Sequence, residues 1–266
     1  MSLTFPQIDP VAISIGPIEI RWYALSYLAG FLIGLYVIKK FIALYPSKYI
    51  TKSMCDDLLT WVIIGVIVGG RLGYVIFYNA EYYLENPFDA IKIWQGGMAF
   101  HGGLMGVITA MIAFAWKHKM PFFALADRVA VVTPIGLFFG RIANFINGEL
   151  FGRPTDAPWG MVFVEGDVAR HPSQLYQAMT EGIVLFVILI ILQRSKYVRD
   201  HYGIISGMFL SAYAFMRFFV EYTRQPDAQI GFLTFGLSMG QLLCIPMFLA
   251  GLAIIAYGRA RDVAPR

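Results

Sequence analysis

The chain has 266 residues, of which 58% are apolar and only 14% charged, against about 25% charged in a soluble globular chain. That balance excludes an ordinary soluble domain and indicates an integral membrane protein. Its net charge of +4 comes without the Lys/Arg-rich patch that neutralises phosphates, so nucleic acid is not expected as a partner.

The apolar runs are long and continuous, unlike the roughly ten-residue alternating stretches of a membrane barrel. A spanning helix needs about 20 mostly apolar residues. Seven stretches qualify, at 20–38, 58–78, 99–116, 122–140, 174–193, 203–220 and 237–257. The expected fold is therefore an all-α bundle of seven membrane helices. It forms one polytopic domain, 1–266, with small outer head segments at about 79–98 and 141–173. The fourth span carries Asp127, Arg128 and Pro134; Asp127 and Arg128 sit near its start, at the interface or paired internally. No basic segment followed by an apolar core and a cleavage site opens the chain, so a removable signal peptide is not expected.

Orientation follows from Lys and Arg in the short loops. One set of loops holds Lys39, Lys40, Lys48, Lys52, Lys117, Lys119, Arg194, Lys196, Arg199, Arg259, Arg261 and Arg266. The other holds Arg21, Arg71, Lys92, Arg141, Arg153, Arg170, Arg217 and Arg224. The richer set marks the cytoplasmic side, placing the N-terminus outside and the C-terminus inside. The outer set is almost all arginine, whose planar fork suits phosphate and carboxylate. Glycines at Gly65/Gly69/Gly73, Gly102/Gly106, Gly136/Gly140, Gly203/Gly207 and Gly236/Gly240 fit G-x-x-x-G, a spacing for close helix packing.

The polar motifs fall in chain order at the expected outer ends. "RWYALSYL" places Trp22 and Tyr23 at the first span, where an interfacial aromatic belt is the ordinary reading. "GGRLGY" puts Arg71 near the end of the second span. "WQGGMAFHGG" sets His101 just inside the third, either as a structural histidine or as a general base, a role imidazoles often fill. "GRIANFINGELFG" closes the fourth. If it continues the helix, Arg141, Asn144 and Gly148 share a face, flanked by Asn147 and Glu149. A capped helix end with a snorkelling arginine explains one arginine and one cap, not all four polar residues together. "RHPSQLYQ" looks like the N-terminus of the fifth helix. "VEYTRQPDAQ" leaves the sixth span with Glu221 and Arg224 at i, i+3, close enough to pair with each other.

Arginines at several helix ends on one side imply an anionic, membrane-resident ligand. A phospholipid head group fits. Such a site holds a lipid or stabilises a phosphate as leaving group, a role that needs no metal. Neither cysteine, Cys55 or Cys244, belongs to a C-x-x-C or Cys/His cluster, and there is no H-E-x-x-H, so no disulfide framework or zinc site is expected.

These motifs, in order, are "FPQIDPVAISIGPIEIRWY", "GGRLGY", "WQGGMAFHGGL", "GRIANFINGELFGRPT", "RHPSQLYQ" and "EYTRQPDAQ…SMGQ". With them the chain closely resembles the bacterial prolipoprotein diacylglyceryl transferases over nearly its whole length. The resemblance implies transfer of the sn-1,2-diacylglyceryl group of phosphatidylglycerol to the lipobox cysteine thiol of a prolipoprotein. A thioether forms and glycerol phosphate leaves, on the outer side of the bacterial plasma membrane, with no metal or dissociable cofactor. It assigns the signature arginine to Arg141 and its asparagine to Asn144, with Asn147, Glu149 and Gly152 in the same motif. The histidine of "HGG" is His101, the arginine of "RQPD" is Arg224, and the early tyrosine is Tyr23. The resulting expectation makes His101, Arg141 and Arg224 catalytic, and Tyr23, Arg71, Asn144, Asn147, Glu149 and Gly152 substrate-binding. Ala143 stands where the family motif commonly has a second glycine. The rival reading is a non-enzymatic phospholipid binder or lipid transporter using the same arginines; no repeated halves support it.

Overall fold

A computed structural model describes residues 3–16, 18–225, 231, 233 and 236–260. Arg261 and Arg266, counted above toward the inner charge, and residues 226–229 of "RQPDAQ" lie outside the described residues.

Among the described residues, seven helices are long and apolar enough to cross a membrane. They match the seven expected spans. In chain order come the strands β1 (Leu3–Thr4), β2 (Val11–Ile15) and β3 (Ile18–Arg21), then the helices α1 (Trp22–Leu44), α2 (Met54–Tyr78), α3 (Ala80–Glu85), α4 (Phe100–Lys117) and α5 (Phe122–Ile146). After β4 (Met161–Val162), the fifth span is built from α6 (Ser173–Gln177), a π-helical turn Ala178–Val184 and α7 (Leu185–Arg194). Short α8 (Lys196–Asp200) leads to α9 (Ile204–Val220), and α10 (Met239–Ala260) closes the chain. Two helices outrun their expected ends the furthest: α1 continues to Leu44 and α5 to Ile146. Lysine and arginine stems extend along apolar surface, so Lys39 and Arg141 read as ends without ending the helix.

The chain divides into two compact units, Met1–Val37 with Asp127–Arg266, and Ile38–Ala126. In the smaller unit α2 and α4 pack along the expected glycine seam. A Cβ on Gly65 would lie 2.6 Å from the Gly106 carbonyl oxygen, and one on Gly73 would lie 2.7 Å from the Gly102 Cα. Only glycine lets these backbones approach so closely. Lys39 on the C-terminal part of α1 pairs with Asp56 in the first turn of α2 at 2.6 Å.

In the larger unit, Gly30 of α1 meets Gly136 of α5, and Gly207 of α9 meets Gly251 of α10. Asp127 pairs internally. Its carboxylate accepts from the Gly203 and Ser206 amides at 2.8 Å and from the Ser206 hydroxyl at 2.6 Å. It thereby caps the N-terminus of α9, where unpaired amides face a helix dipole.

The strands add a small β component to the helical fold. β2 and β3 form an antiparallel hairpin, and β1 pairs in parallel with β4. The second pairing anchors a compact head segment after α5. Phe5 stacks on Phe163 at 5.0 Å and meets Phe145 edge-on at 5.3 Å, while Phe151 stacks on Phe163.

Candidate functional site

In the larger unit, the end of α5, the head segment and the turn after α9 carry most of the expected site residues, with the start of α6 against them. Because α5 runs on to Ile146, Arg141 and Asn144 do share one helix face. Arg141 Nη1 lies 3.5 Å from Asn144 Oδ1. Gly148 lies past the helix, with φ +64°. The Asn144 amide donates to Glu149 at 2.7 Å, and the Asn147 amide reaches the same carboxylate oxygen at 3.4 Å. Glu149 is held from the other side, since buried Gln174 donates to its backbone carbonyl at 2.6 Å. The four polar residues of the motif therefore form one relay that ends on the Arg141 guanidinium.

A second relay also starts at Arg141. Its Nη2 lies 3.8 Å from the carboxylate of Glu181, which is fully buried. Arg217 Nη1 lies 3.6 Å from the other oxygen of Glu181, and its Nη2 pairs with Glu221 at 2.9 Å. Arg224 closes the chain at 3.7 Å from Glu221. The order is arginine, glutamate, arginine, glutamate, arginine, in alternating charge across three helices. Lone charges at such depth are expensive, and alternation is what makes the cluster tolerable.

The elements explain the placement. The π-helical turn admits an extra residue per turn, and Gly182 within it abuts Phe138 of α5, so Glu181 is carried against Arg141. Glu221 is fixed by the "SMGQ" segment: the Ser238 hydroxyl donates to it at 3.2 Å, and a Cβ on Gly240 would lie 2.8 Å from its carboxylate.

Gly152 and Arg224 come together as an isolated antiparallel bridge. The Gly152 amide donates to the His171 carbonyl at 2.8 Å and the Arg153 amide to the Thr223 carbonyl at 2.9 Å. A Cβ on Gly152 would run into the Thr223 carbonyl. Arg153 clasps the same strand, donating to the Arg224 carbonyl at 2.7 Å and the Glu221 carbonyl at 3.3 Å. Tyr23, in the first turn of α1, stacks edge-on with Tyr27, their hydroxyls 3.3 Å apart.

In the head segment, Arg170 pairs with Asp167 at 2.8 Å. That bond, with the Val168 amide, holds the Asp167 carboxyl below the usual carboxylate range. His171 contacts the Tyr176 hydroxyl, which also accepts from Trp159. Burial lowers the His171 imidazole below its ordinary value, because it disfavours the charged ring.

The other two expected residues, Arg71 and His101, lie in the smaller unit. Arg71 is buried and turned entirely toward backbone. It donates to the carbonyls of Asp89, Ala90, Gly96 and Gly97. Tyr83 and Tyr74 lie under its guanidinium at 5.3 and 5.9 Å. The loop it gathers carries Gly96 and Gly97, both at positive φ, a conformation glycine supplies without strain. That loop leads directly into α4, where His101 is the second residue. His101 is exposed and lines a largely apolar groove of about 1010 Å³ along α2 and α4, with Gly69, Gly73 and Gly102. Among the described residues no three His, Cys, Asp or Glu side chains converge as a metal site requires.

Sequence reasoning counted Arg217 only among the outer arginines and assigned no role to Glu181. The signal was present, since an ionisable residue within a span is by default a functional one.

The chain matches the family model described as prolipoprotein diacylglyceryl transferase over residues 10–257. It is 51% identical to the phosphatidylglycerol–prolipoprotein diacylglyceryl transferase of Azospirillum brasilense, covering 99% of both chains. The transferases of the same name from Rhodospirillum centenum and Nitratidesulfovibrio vulgaris are 51% and 49% identical. They align over 95% and 96% of this chain and 92% and 97% of their own.

Proposed function

Because the chain belongs to the prolipoprotein diacylglyceryl transferase family, we propose that its arginine relay holds the phosphate of phosphatidylglycerol for attack by a lipobox cysteine. The chain is a membrane transferase of the first step of lipoprotein maturation. The single observation that carries the site assignment is the alternating chain Arg141–Glu181–Arg217–Glu221–Arg224, with buried glutamates between half-buried arginines. It gathers three cations at helix ends where the sequence already pointed to an anionic lipid.

The chemistry is a direct displacement. The cysteine sulfur attacks the glyceryl carbon that bears the phosphate oxygen. A C–S bond forms, the C–O bond breaks, and the electron pair leaves on the phosphate of glycerol phosphate. The arginine donors stabilise that developing charge, the electrostatic contribution that is usually largest. The thiol, with an ordinary pKa near ~8.5, is mostly protonated at neutral pH. On the family resemblance, His101 accepts its proton. Asn144, Asn147 and Glu149 orient Arg141 through the relay that ends on it. Gly152 sets the strand that carries Arg224, and Tyr23 faces lipid at the start of α1. Arg71, expected to contact substrate, has its donors on four carbonyls, so we assign it the loop leading to His101. The family and the arginine-rich outer loops support a multi-pass protein of the bacterial plasma membrane, N-terminus and site outward and C-terminus in the cytoplasm.

The test mixes the purified protein, in phosphatidylglycerol liposomes, with a lipobox peptide and follows the peptide by mass spectrometry. A gain of one diacylglyceryl group with release of glycerol phosphate is expected. No gain from folded, lipid-bound protein would favour a binder or transporter instead. A His101→Gln variant with full activity would remove His101 as the base.

A further inference from the structure

Two carboxamides in the site spend their nitrogen on Glu149 and leave their oxygen without a donor. Gln174, in the first turn of α6, is 1% exposed, and its Nε2 donates to the Glu149 backbone carbonyl at 2.6 Å. Asn147, just past the end of α5, donates its Nδ2 to the Glu149 carboxylate at 3.4 Å. Among the described residues, Gln174 Oε1 and Asn147 Oδ1 are buried atoms that accept no hydrogen bond. Turning either amide over would set its oxygen against an oxygen of Glu149, so these bonds fix which atom is left over. The start of α6 is held in this place by a second bond, from the Ser173 hydroxyl to the Leu150 carbonyl at 3.0 Å.

A buried acceptor without a donor is costly. The oxygens of a phosphodiester only accept, so they offer nothing to these two atoms and belong with the arginines. A hydroxyl does donate, and the glycerol head group of phosphatidylglycerol carries two hydroxyls beyond its phosphate. Asn144 joins the places for both halves of such a ligand. Its Oδ1 lies 3.5 Å from Arg141 Nη1, and its Nδ2 donates to the Glu149 carboxylate at 2.7 Å. A guanidinium for phosphate and a pair of amide oxygens for hydroxyls are thus linked through one carboxamide and Glu149.

We propose that Gln174 is a specificity residue, whose Oε1 together with Asn147 Oδ1 accepts the head-group hydroxyls of phosphatidylglycerol while Arg141 holds the phosphate. The site thus selects a leaving group that is a glycerol phosphate, and not any phosphate ester of a diacylglycerol. The proposal rests on the transferase reading above. It gives "RHPSQLYQ" a role beyond starting a helix, and Asn147 a second role beside orienting Arg141.

The test is a competition in mixed liposomes between phosphatidylglycerol and phosphatidylethanol, a diester of the same charge whose head group has no hydroxyl. One lipid carries deuterated acyl chains, so the mass of the modified lipobox peptide shows which lipid supplied each diacylglyceryl group. The product ratio gives the ratio of the two kcat/KM values in one sample, and loss of folded protein cancels from it. The wild type should prefer phosphatidylglycerol by about tenfold or more, the worth of one or two hydrogen bonds to a hydroxyl. Gln174→Leu and Asn147→Ala should each lower that ratio several-fold. A residue that only supported Arg141 or the fold would slow both lipids alike and leave the ratio where it was. A wild type without preference, or an unchanged ratio in either folded variant, would overturn the proposal. Should Gln174→Leu fail to fold, the ratio in Asn147→Ala decides in the same way. A wild type that modifies the peptide from neither lipid would sink the transferase reading instead.

Discussion

Arg71 and Arg141 are both arginines near helix ends, one in each unit, and their surroundings differ completely. Arg71 has four backbone carbonyls and two aromatic faces, a shell of neutral acceptors that uses its donors. Arg141 has a carboxylate at 3.8 Å and an amide oxygen at 3.5 Å, both at or beyond the outer limit of a hydrogen bond. The first arrangement fixes a loop. The second leaves a cation balanced by nearby charge and still able to bind. In the proposed reading the same residue type clamps a loop in one place and binds the lipid phosphate in the other. What separates them is whether their donors are already taken.

The largest effect that sharpens this contrast is Arg141→Ala, expected to lower kcat/KM about 10²–10³-fold, as loss of a donor at a developing charge does. The variant should still insert and fold, checked by its melting temperature in detergent. Arg71→Ala should do the reverse. Four carbonyls lose their donor, so stability should drop by about 2–4 kcal/mol, read by thermal unfolding, with activity per folded molecule much less changed. Next comes Gly152→Ala. Its Cβ would collide with the Thr223 carbonyl and sit 2.8 Å from the His171 Cβ. Overpacking of this kind costs about 1–3 kcal/mol. Activity should fall as well, because the displaced strand carries Arg224.

The smallest effect concerns pH. Burial holds the His171 pKa below its ordinary value in the folded state. The unfolded chain therefore binds more protons in the window between the two values. Stability should be unaffected above that window and should decline as pH falls from about 6.5 toward the folded value. His171→Gln should flatten that slope in unfolding measured from pH 7 to 5.

The seven spans were legible because a long apolar run with few charges is enough by itself to mark a membrane helix. Their ends were less so, since Lys39 and Arg141 read as boundaries while α1 and α5 run on past them. The hairpin of β2 and β3 was missed, although "VAISI" and "IEIR" alternate around a glycine turn. Most of the arginine motif was legible in "GRIANFINGELFG", because its four polar residues fall close together in sequence. Glu181 was not, since it lies 40 residues from Arg141 in an apolar span, and only the π-helical turn aims it there. The difference between Arg71 and Arg141 could not be read at all. The acceptors around Arg71 are backbone carbonyls, and every sequence has those.

One measurement tests the central claim most directly: peptide modification in phosphatidylglycerol liposomes by wild type, Arg141→Ala and Arg71→Ala, each normalised to folded protein. The account predicts transfer by the wild type, near-complete loss in Arg141→Ala, and substantial activity in whatever Arg71→Ala remains folded. Transfer by folded Arg141→Ala at the wild-type rate would contradict it.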